Sequence, residues 1–241
     1  MVGAWCMLGD ALAAEIMANA GYDWLIVDME HGPVPLAAAQ AMVTAIRTTP
    51  TVPLVRVPWN DSASIQLALD SGPYGILVPM VNSLDDARRA VNDARFLPLG
   101  TRSWGGSRSP LAYGTTGQDY YEAANEHTIL MVQIETVAAV AAADEIAALE
   151  GIDALFVGPA DLAASHGLRY PQCWEHLEGP YAEAIRAVPQ IARRYGKGAG
   201  ILAKDALMGE RCIEFGYNVV GIATDANLLA AAARREREAL W

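Results

Sequence analysis

TILMVQIETVAAVAAADEIAALEGIDALFVGPADL, residues 128–162, decides how the rest of the chain reads. An apolar run over Ile129 to Ile134 leads into Glu135, an alanine-rich stretch of helical pattern follows, and a second run over Ala154 to Val157 leads into Gly158-Pro159-Ala160-Asp161. Strand, helix and strand in that order make a β/α unit with parallel strands. Each acid then falls just past the C-terminal end of a strand, where α/β folds place their chemistry. With the two strands as neighbours, Glu135, Asp161 and the Gly158-Pro159-Ala160 backbone converge on one small volume, which reads as a divalent-metal site.

The same alternation runs through the whole chain. Eight apolar runs are expected as strands near 3–8, 24–29, 52–57, 75–79, 128–134, 153–157, 198–202 and 218–222. Helical stretches lie near 10–20, 35–47, 62–71, 83–95, 137–148, 175–195, 205–215 and 225–238. Eight such units predict an α/β fold, a (β/α)₈ TIM barrel, in preference to an open sheet. Residues 1–241 read as one domain, because no linker-like tract divides them. Gly21, Gly72, Gly151 and Gly216 fall where helices should end, and Asp61, Ser62 and Asp205 where helices should begin. The longest connection, 97–117, reads as a functional or mobile loop.

Bulk composition excludes several function classes. The net charge of −11 comes with two lysines, Lys197 and Lys204, and no basic run, which argues against nucleic acid and anionic membranes as partners. Three scattered cysteines, Cys6, Cys173 and Cys212, suit a reducing cytoplasm. No signal peptide and no membrane-spanning run is expected.

Strand alternation decides which side chains meet. Asp28 and Glu30 share a face with Ile26, and Gln133 and Glu135 share a face with Met131, so acids and amide point into the barrel mouth. Arg56 ends the third run, and His31 follows the second. Two carboxylates without a histidine or cysteine cluster favour a hard ion such as Mg²⁺ or Mn²⁺ over zinc. Such an ion chelates a 2-oxo acid and stabilises its enolate, Arg56 adds a second positive charge, and His31 oriented by Asp28 is the natural proton shuttle.

Plainer roles compete for some of these residues. Asp161 also fits a helix cap, Glu135 invites the same reading, and Glu30 fits a structural partner better than a ligand. Cys173 and His176 only superficially resemble a metal pair, His127 and His166 fit loops or surfaces, and Gly196–Gly200 lacks the following helix of a phosphate cradle. An imine mechanism needs a desolvated lysine inside the barrel, and only Lys204 is near the correct rim, so no Schiff-base lysine is expected.

Taken together, GDALAAEIMANAGYDWLIVDMEHGP (9–33), PLVRVPWND (53–61), GILVPMVNSLDDARRAV (75–91), LMVQIET (130–136) and GIDALFVGPADLAASHG (151–167) resemble, in order and spacing, the HpcH/HpaI aldolases. These are class II pyruvate aldolases, such as 4-hydroxy-2-oxoheptanedioate and 2-keto-3-deoxy-sugar-acid aldolases. The resemblance implies a lyase that reversibly cleaves a 4-hydroxy-2-oxo acid to pyruvate, or a close analogue, and an aldehyde, with Mg²⁺, Mn²⁺ or Co²⁺ as cofactor. It implies Glu135 and Asp161 as metal ligands with Gln133 close by, Arg56 on the keto or enolate oxygen, and the backbone of Gly158 and Ala160, flanking Pro159, on the pyruvate carboxylate. It further implies His31 with Asp28 as the acid/base dyad, Trp5 in the pocket wall, and Asp70 presented to a neighbouring subunit's site. A homohexamer of dimers that exchange the last barrel helix is also implied.

One stretch departs from the family pattern. In place of Gly-x-Arg-Gly-x-Gly after the fourth strand, this chain has Gly100-Thr101-Arg102-Ser103-Trp104-Gly105-Gly106. Arg102 or Ser103 is therefore expected to contact the aldehyde acceptor. Two other readings are weighed: a citrate-lyase-β or malyl-CoA-type lyase, against which stands the lack of a basic run for CoA phosphates, and a non-catalytic barrel that senses a small acid, against which stands the full set His31, Arg56, Glu135 and Asp161.

Overall fold

The computed structural model describes residues 1–169, 174–175 and 177–240. Its first half runs β1 (Val2–Cys6), α1 (Ala11–Asn19), β2 (Trp24–Asp28), α2 (Leu36–Ile46), β3 (Val52–Arg56), α3 (Ser62–Asp70), β4 (Gly75–Val78) and α4 (Leu84–Ala94). Two helices, α5 (Arg108–Tyr113) and α6 (Gly117–His127), then precede β5 (Ile129–Ile134). The remainder is α7 (Val137–Ala141), α8 (Ala143–Ala148), β6 (Ala154–Val157), α9 (Pro159–Ser165), α10 (Gly179–Arg194), β7 (Gly198–Leu202), α11 (Ala206–Phe215), β8 (Val219–Thr224) and α12 (Asp225–Glu238). All neighbouring strands pair in parallel in sequence order, and β8 closes on β1, so the expected (β/α)₈ barrel forms.

Three helices depart from the pattern read in the sequence. The 97–117 connection contains the short α5, and α6 follows it; both carry polar residues and Tyr in place of an alanine-rich apolar stripe. α9 is a single short helix started by Pro159. The stretch 137–148 is divided at Ala142 into α7 and α8. The Cys173 and His176 pair lies outside the described residues.

Local chemistry explains the element ends. Asp61 caps α3 by accepting from Ser64 N–H at 2.9 Å, and Asp205 caps α11 through Met208 N–H at 2.8 Å. Gly216 stops α11 at φ 107°, a left-handed backbone that a side chain would oppose. β1 ends earlier than its apolar run because the N–H groups of Met7 and Leu8 donate to buried Asp225, at 2.8 and 3.2 Å.

Inside the barrel three aromatic rings form the plug beneath the mouth. Trp5 meets Trp24 edge-on with centroids 5.5 Å apart and Phe156 at 5.3 Å. Gly3, Gly200 and Gly221 make this possible, since a Cβ at each would run into Trp24, Phe156 and Trp5 respectively. Leu54, Leu77 and Met131 fill the rest of the interior, and the outward strand residues such as Val27, Val132 and Leu155 pack on the helices. The plug sets the floor on which any ligand at the C-terminal mouth must rest.

α12 is different from the other long helices. Of its residues only Asp225 is buried, while Leu228 and Leu229 are 43% and 62% exposed. Leu12 and Ile16 of α1, which packs beside it, are exposed too. Cys6 and Cys212 are buried free thiols. Among the described residues no helix is long and apolar enough to cross a membrane.

Candidate active site

Register brings the first pair of charged residues together. Asp28 and Arg56 are the last residues of β2 and β3, stand opposite each other and share the inward face. The result is a two-pronged ion pair: Arg56 Nε donates to Asp28 Oδ1 at 2.9 Å and Nη2 to Oδ2 at 2.7 Å. Glu30, in the turn beyond β2, adds a carboxylate oxygen 2.9 Å from Arg56 Nη1. Burial opposes the Arg56 charge, but the bonds and charges of Asp28 and Glu30 outweigh it and raise the guanidinium's pKa. Burial likewise raises the Glu30 pKa against the pull of Arg56 and His31.

The expected orientation of His31 by Asp28 takes another form. Asp28 Oδ1 accepts from the backbone N–H of Glu30 and His31, at 3.1 and 3.3 Å, and its remaining capacity is taken by Arg56. The acid beside the imidazole is Glu30, whose Oε2 lies 3.8 Å from His31 Nε2. Asp28 thus holds the guanidinium and the turn, and His31, with its side chain 55% exposed, reaches the mouth from above.

Across the barrel, Gln133 and Glu135 follow from the alternation of β5. Glu135 is 1% exposed; its Oε1 accepts Met80 N–H at 2.7 Å and its Oε2 is bonded by Gln133 Nε2. Gly158 belongs here for space: a Cβ on it would collide with Glu135 Oε2 and Gln133 Nε2. Its N–H donates to Ile134 C=O at 3.3 Å, so the free donors at the start of α9 are the N–H groups of Ala160 and Asp161. Asp161 stands exposed at the rim, in the first turn of α9.

These residues enclose a cavity of about 220 Å³ at the mouth. Trp5, His31, Arg56, Gln133, Gly158, Pro159, Ala160 and Asp161, all singled out in the sequence, line it. Met7, Phe156, Val157, Leu202 and Thr224 line it as well and were not singled out. They end or follow apolar strands, where nothing in a sequence separates a pocket wall from core. Asp28 and Glu135 sit behind the lining, fully buried or nearly so.

Asp70, Arg102 and Ser103 do not reach this cavity. The Gly100–Gly106 stretch follows α4 rather than β4, and α3 ends at Asp70, so both lie at the N-terminal end of the barrel. There Arg102 is buried, paired with Asp70 at 2.8 Å, bonded to the Tyr120 hydroxyl and laid over the Phe96 ring at 4.6 Å. Ser103 is exposed. Lys204 borders a separate groove beside α12, and Lys197 donates to Ile152 C=O at 2.7 Å.

The donor set fits a hard divalent ion. Among the described residues neither Glu135 nor Asp161 makes an ion pair, and Gln133 Oε1 is buried without a partner. Burial raises the Glu135 carboxyl to about 7, and the charges of Glu30 and Asp161 push the same way against Met80 N–H and Arg56. A buried acid destabilised by two like charges is relieved by a cation. Among the described residues no group of three or more His, Cys, Asp or Glu has metal-binding geometry, so the ion would rest on Glu135 and Asp161, with water or substrate oxygens completing its shell.

Comparison with known proteins finds relatives along nearly the whole chain. A family model, HpcH/HpaI aldolase/citrate lyase, matches residues 1–232. The hydroxypyruvate/pyruvate aldolase of Roseovarius nubinhibens is 36% identical over 235 residues, covering 98% of this chain and 90% of its own. The 4-hydroxy-2-oxo-heptane-1,7-dioate aldolase of Escherichia coli is 38% identical over 232 residues, covering 96% of this chain and 87% of its own. A crystal structure of an HpcH/HpaI aldolase/citrate lyase family protein from Burkholderia cenocepacia superposes with a TM-score of 0.91 at 34% identity, covering 100% of this chain and 94% of that one. The chain belongs to the HpcH/HpaI aldolase/citrate lyase family.

Proposed function

We propose that the protein is a divalent-metal-dependent aldolase that reversibly cleaves a 4-hydroxy-2-oxo acid into pyruvate, or a close 2-oxo acid analogue, and an aldehyde. The observation that carries this is the convergence on one mouth of an anchored guanidinium, Arg56, and a buried carboxylate without a cationic partner, Glu135. Glu135 and Asp161 would hold the ion. When bound, a divalent ion supplies Lewis acidity toward the keto and carboxylate oxygens of a 2-oxo acid.

The chain's own residues account for the rest. Ala160 N–H, at the start of α9, is placed to bind the substrate carboxylate, and Trp5, Phe156 and Leu202 give the C3 side an apolar wall that limits water. In cleavage His31 takes the C4 hydroxyl proton, the C3–C4 bond breaks, and its electron pair becomes an enolate whose O2 charge faces Arg56. The aldehyde leaves, and C3 then takes a proton to give the 2-oxo acid. Asp28 and Glu30 keep the guanidinium aimed, so little reorganisation is needed as the charge forms. Lysine chemistry has no comparable support, because Lys204 lies outside this cavity.

Exchange of pyruvate methyl protons with deuterated solvent, followed by NMR, tests the reading without an aldehyde. Exchange should disappear on treatment with a chelator and return with Mg²⁺, Mn²⁺ or Co²⁺. Full exchange in the stripped protein, or trapping of pyruvate by borohydride, would falsify it.

The exposed Leu228 and Leu229 of α12 and Leu12 and Ile16 of α1 support a homo-oligomer in the same proposal, a hexamer of dimers that exchange α12. Asp70 and the Arg102–Trp104 stretch, remote from their own cavity, would then border a neighbour's site and act on the aldehyde. Light scattering should give about six times the 25.7 kDa chain mass, and a monomer at micromolar concentration would remove this part. The buried thiols of Cys6 and Cys212 suit a cytoplasmic setting.

A further inference from the structure

We infer that Met80, Asn82 and Thr136 form a brace that sets the Glu135 carboxylate before the ion arrives and makes the site favour small octahedral ions over Ca²⁺. The inference rests on the reading of Glu135 as a metal ligand and adds residues that the reading does not include.

The brace begins with an unusual backbone. β4 stops at Val78, and two residues later Met80 has φ 54°, the one non-glycine among the described residues in the left-handed region. A residue with a Cβ holds that conformation only where its surroundings impose it. Here the turn aims Met80 N–H at Glu135 Oε1, 2.7 Å away. Asn82 holds the turn by donating Nδ2 to Met80 C=O at 3.2 Å. Thr136 in turn donates its hydroxyl to Asn82 Oδ1 at 2.5 Å while accepting Ala139 N–H at 3.0 Å as the cap of α7. Asn82 N–H donates to Asp86 Oδ2 at 3.2 Å, which anchors the other side in the first turn of α4.

The chain of bonds therefore leaves Glu135 at one carboxylate oxygen and returns to its sequence neighbour, Thr136. With Gln133 Nε2 on Oε2, both oxygens are directed and the carboxylate plane is fixed. Hydrogen-bond partners that orient a metal ligand in this way are worth about 10–100-fold in affinity. Mg²⁺ and Mn²⁺ take short bonds in near-octahedral geometry, whereas Ca²⁺ accepts longer bonds and irregular shells. A fixed carboxylate favours the first two, and a loosened one does so less. Met80 and Asn82 are positioning residues in this account, since neither lines the cavity.

The test is direct metal binding by calorimetry to the chelator-stripped, full-length protein, using Mn²⁺, Mg²⁺ and Ca²⁺ without substrate. Asn82→Ala and Asn82→Asp, the latter keeping the Thr136 bond but losing the donor, should each weaken Mn²⁺ and Mg²⁺ about tenfold or more while changing Ca²⁺ by less than about threefold. Met80→Gly guards against a folding defect: it keeps the backbone N–H and favours the left-handed turn, so both its melting temperature and its Mn²⁺ affinity should equal or exceed the parent's. Wild-type Mn²⁺ affinity in both Asn82 variants, or an equal loss for Ca²⁺ and Mn²⁺, overturns the brace. Glu135→Gln separates the two claims. If it binds Mn²⁺ as tightly as the parent, the underlying reading of Glu135 fails; if it alone loses binding, only the brace fails.

Discussion

Glu135→Gln is expected to lower turnover about 10³-fold, the scale on which removal of one well-placed electrostatic group acts, and to abolish metal binding in the micromolar range. The amide keeps the shape and one acceptor for Met80 N–H but carries no charge, so the cation loses its buried partner. The pH behaviour gives a second signature. Because burial raises the Glu135 carboxyl from 4.5 to about 7, protons compete with the ion near neutrality. Metal affinity should rise about tenfold per pH unit below 7 and level off above it. A flat profile between pH 5.5 and 7 would show that another group holds the ion.

The same shift has an opposite sign for the metal-free fold. A carboxyl with a raised folded pKa contributes stability that is complete below about 4.5 and is lost as pH rises through about 7. The stripped parent should therefore melt at a higher temperature at pH 6 than at pH 8, with Glu135 contributing about 1 kcal/mol to that difference. Glu135→Gln should lack that part of the difference and be the more stable of the two at pH 8.

How far such a site can be read from sequence is clear from particular residues. Asp28, Arg56, Gln133 and Glu135 are strand-end residues, and the period of two along a strand is enough to aim them all at one mouth. Gly158 and Asp161 reach the same mouth by position instead, just past the end of β6 and in the first turn of α9. What alternation does not encode is which of two nearby acids a side chain chooses. Asp28 is claimed by Arg56 across the β2–β3 register, and that leaves Glu30 for His31, a pairing that depends on the turn after Asp28.

Other features escape strand alternation for equally specific reasons. Arg102 lies away from its own mouth because its stretch follows the helix of the fourth unit, and helix ends lie at the opposite end of the barrel from strand ends. Met80 carries no sequence signal for a left-handed backbone, since Val78-Pro79-Met80 reads as a strand exit; Glu135, at the end of the next strand, imposes the conformation together with Asn82 in the same turn. α5 and α6 are held by ring contacts such as Tyr74 with Tyr113 and Phe96 with Tyr121, not by an apolar stripe of their own.

Arg56 offers the second large effect, and here stability and catalysis can be separated. Arg56→Met keeps the volume of the side chain but leaves Asp28, which is 0% exposed, without its counter-charge. Removing one partner of a buried pair costs about 3–5 kcal/mol, which should appear as a large loss in denaturant midpoint. Arg56→Met combined with Asp28→Asn removes both charges, so more than half of that stability should return. Turnover should not: with no guanidinium at the mouth, enolate formation loses its fixed positive partner, and kcat should stay at least about 10²-fold down in both proteins. Arg56→Lys sharpens the distinction, because an ammonium retains the charge but has no fork to hold Asp28 and Glu30 together. It should keep more stability than Arg56→Met and still show a loss in the methyl-proton exchange rate at saturating pyruvate. Chemical denaturation and exchange NMR on the same samples decide the matter. If the double variant recovers exchange along with stability, Arg56 is a structural cross-brace between β2 and β3, and the positive charge facing the enolate must come from the bound ion alone.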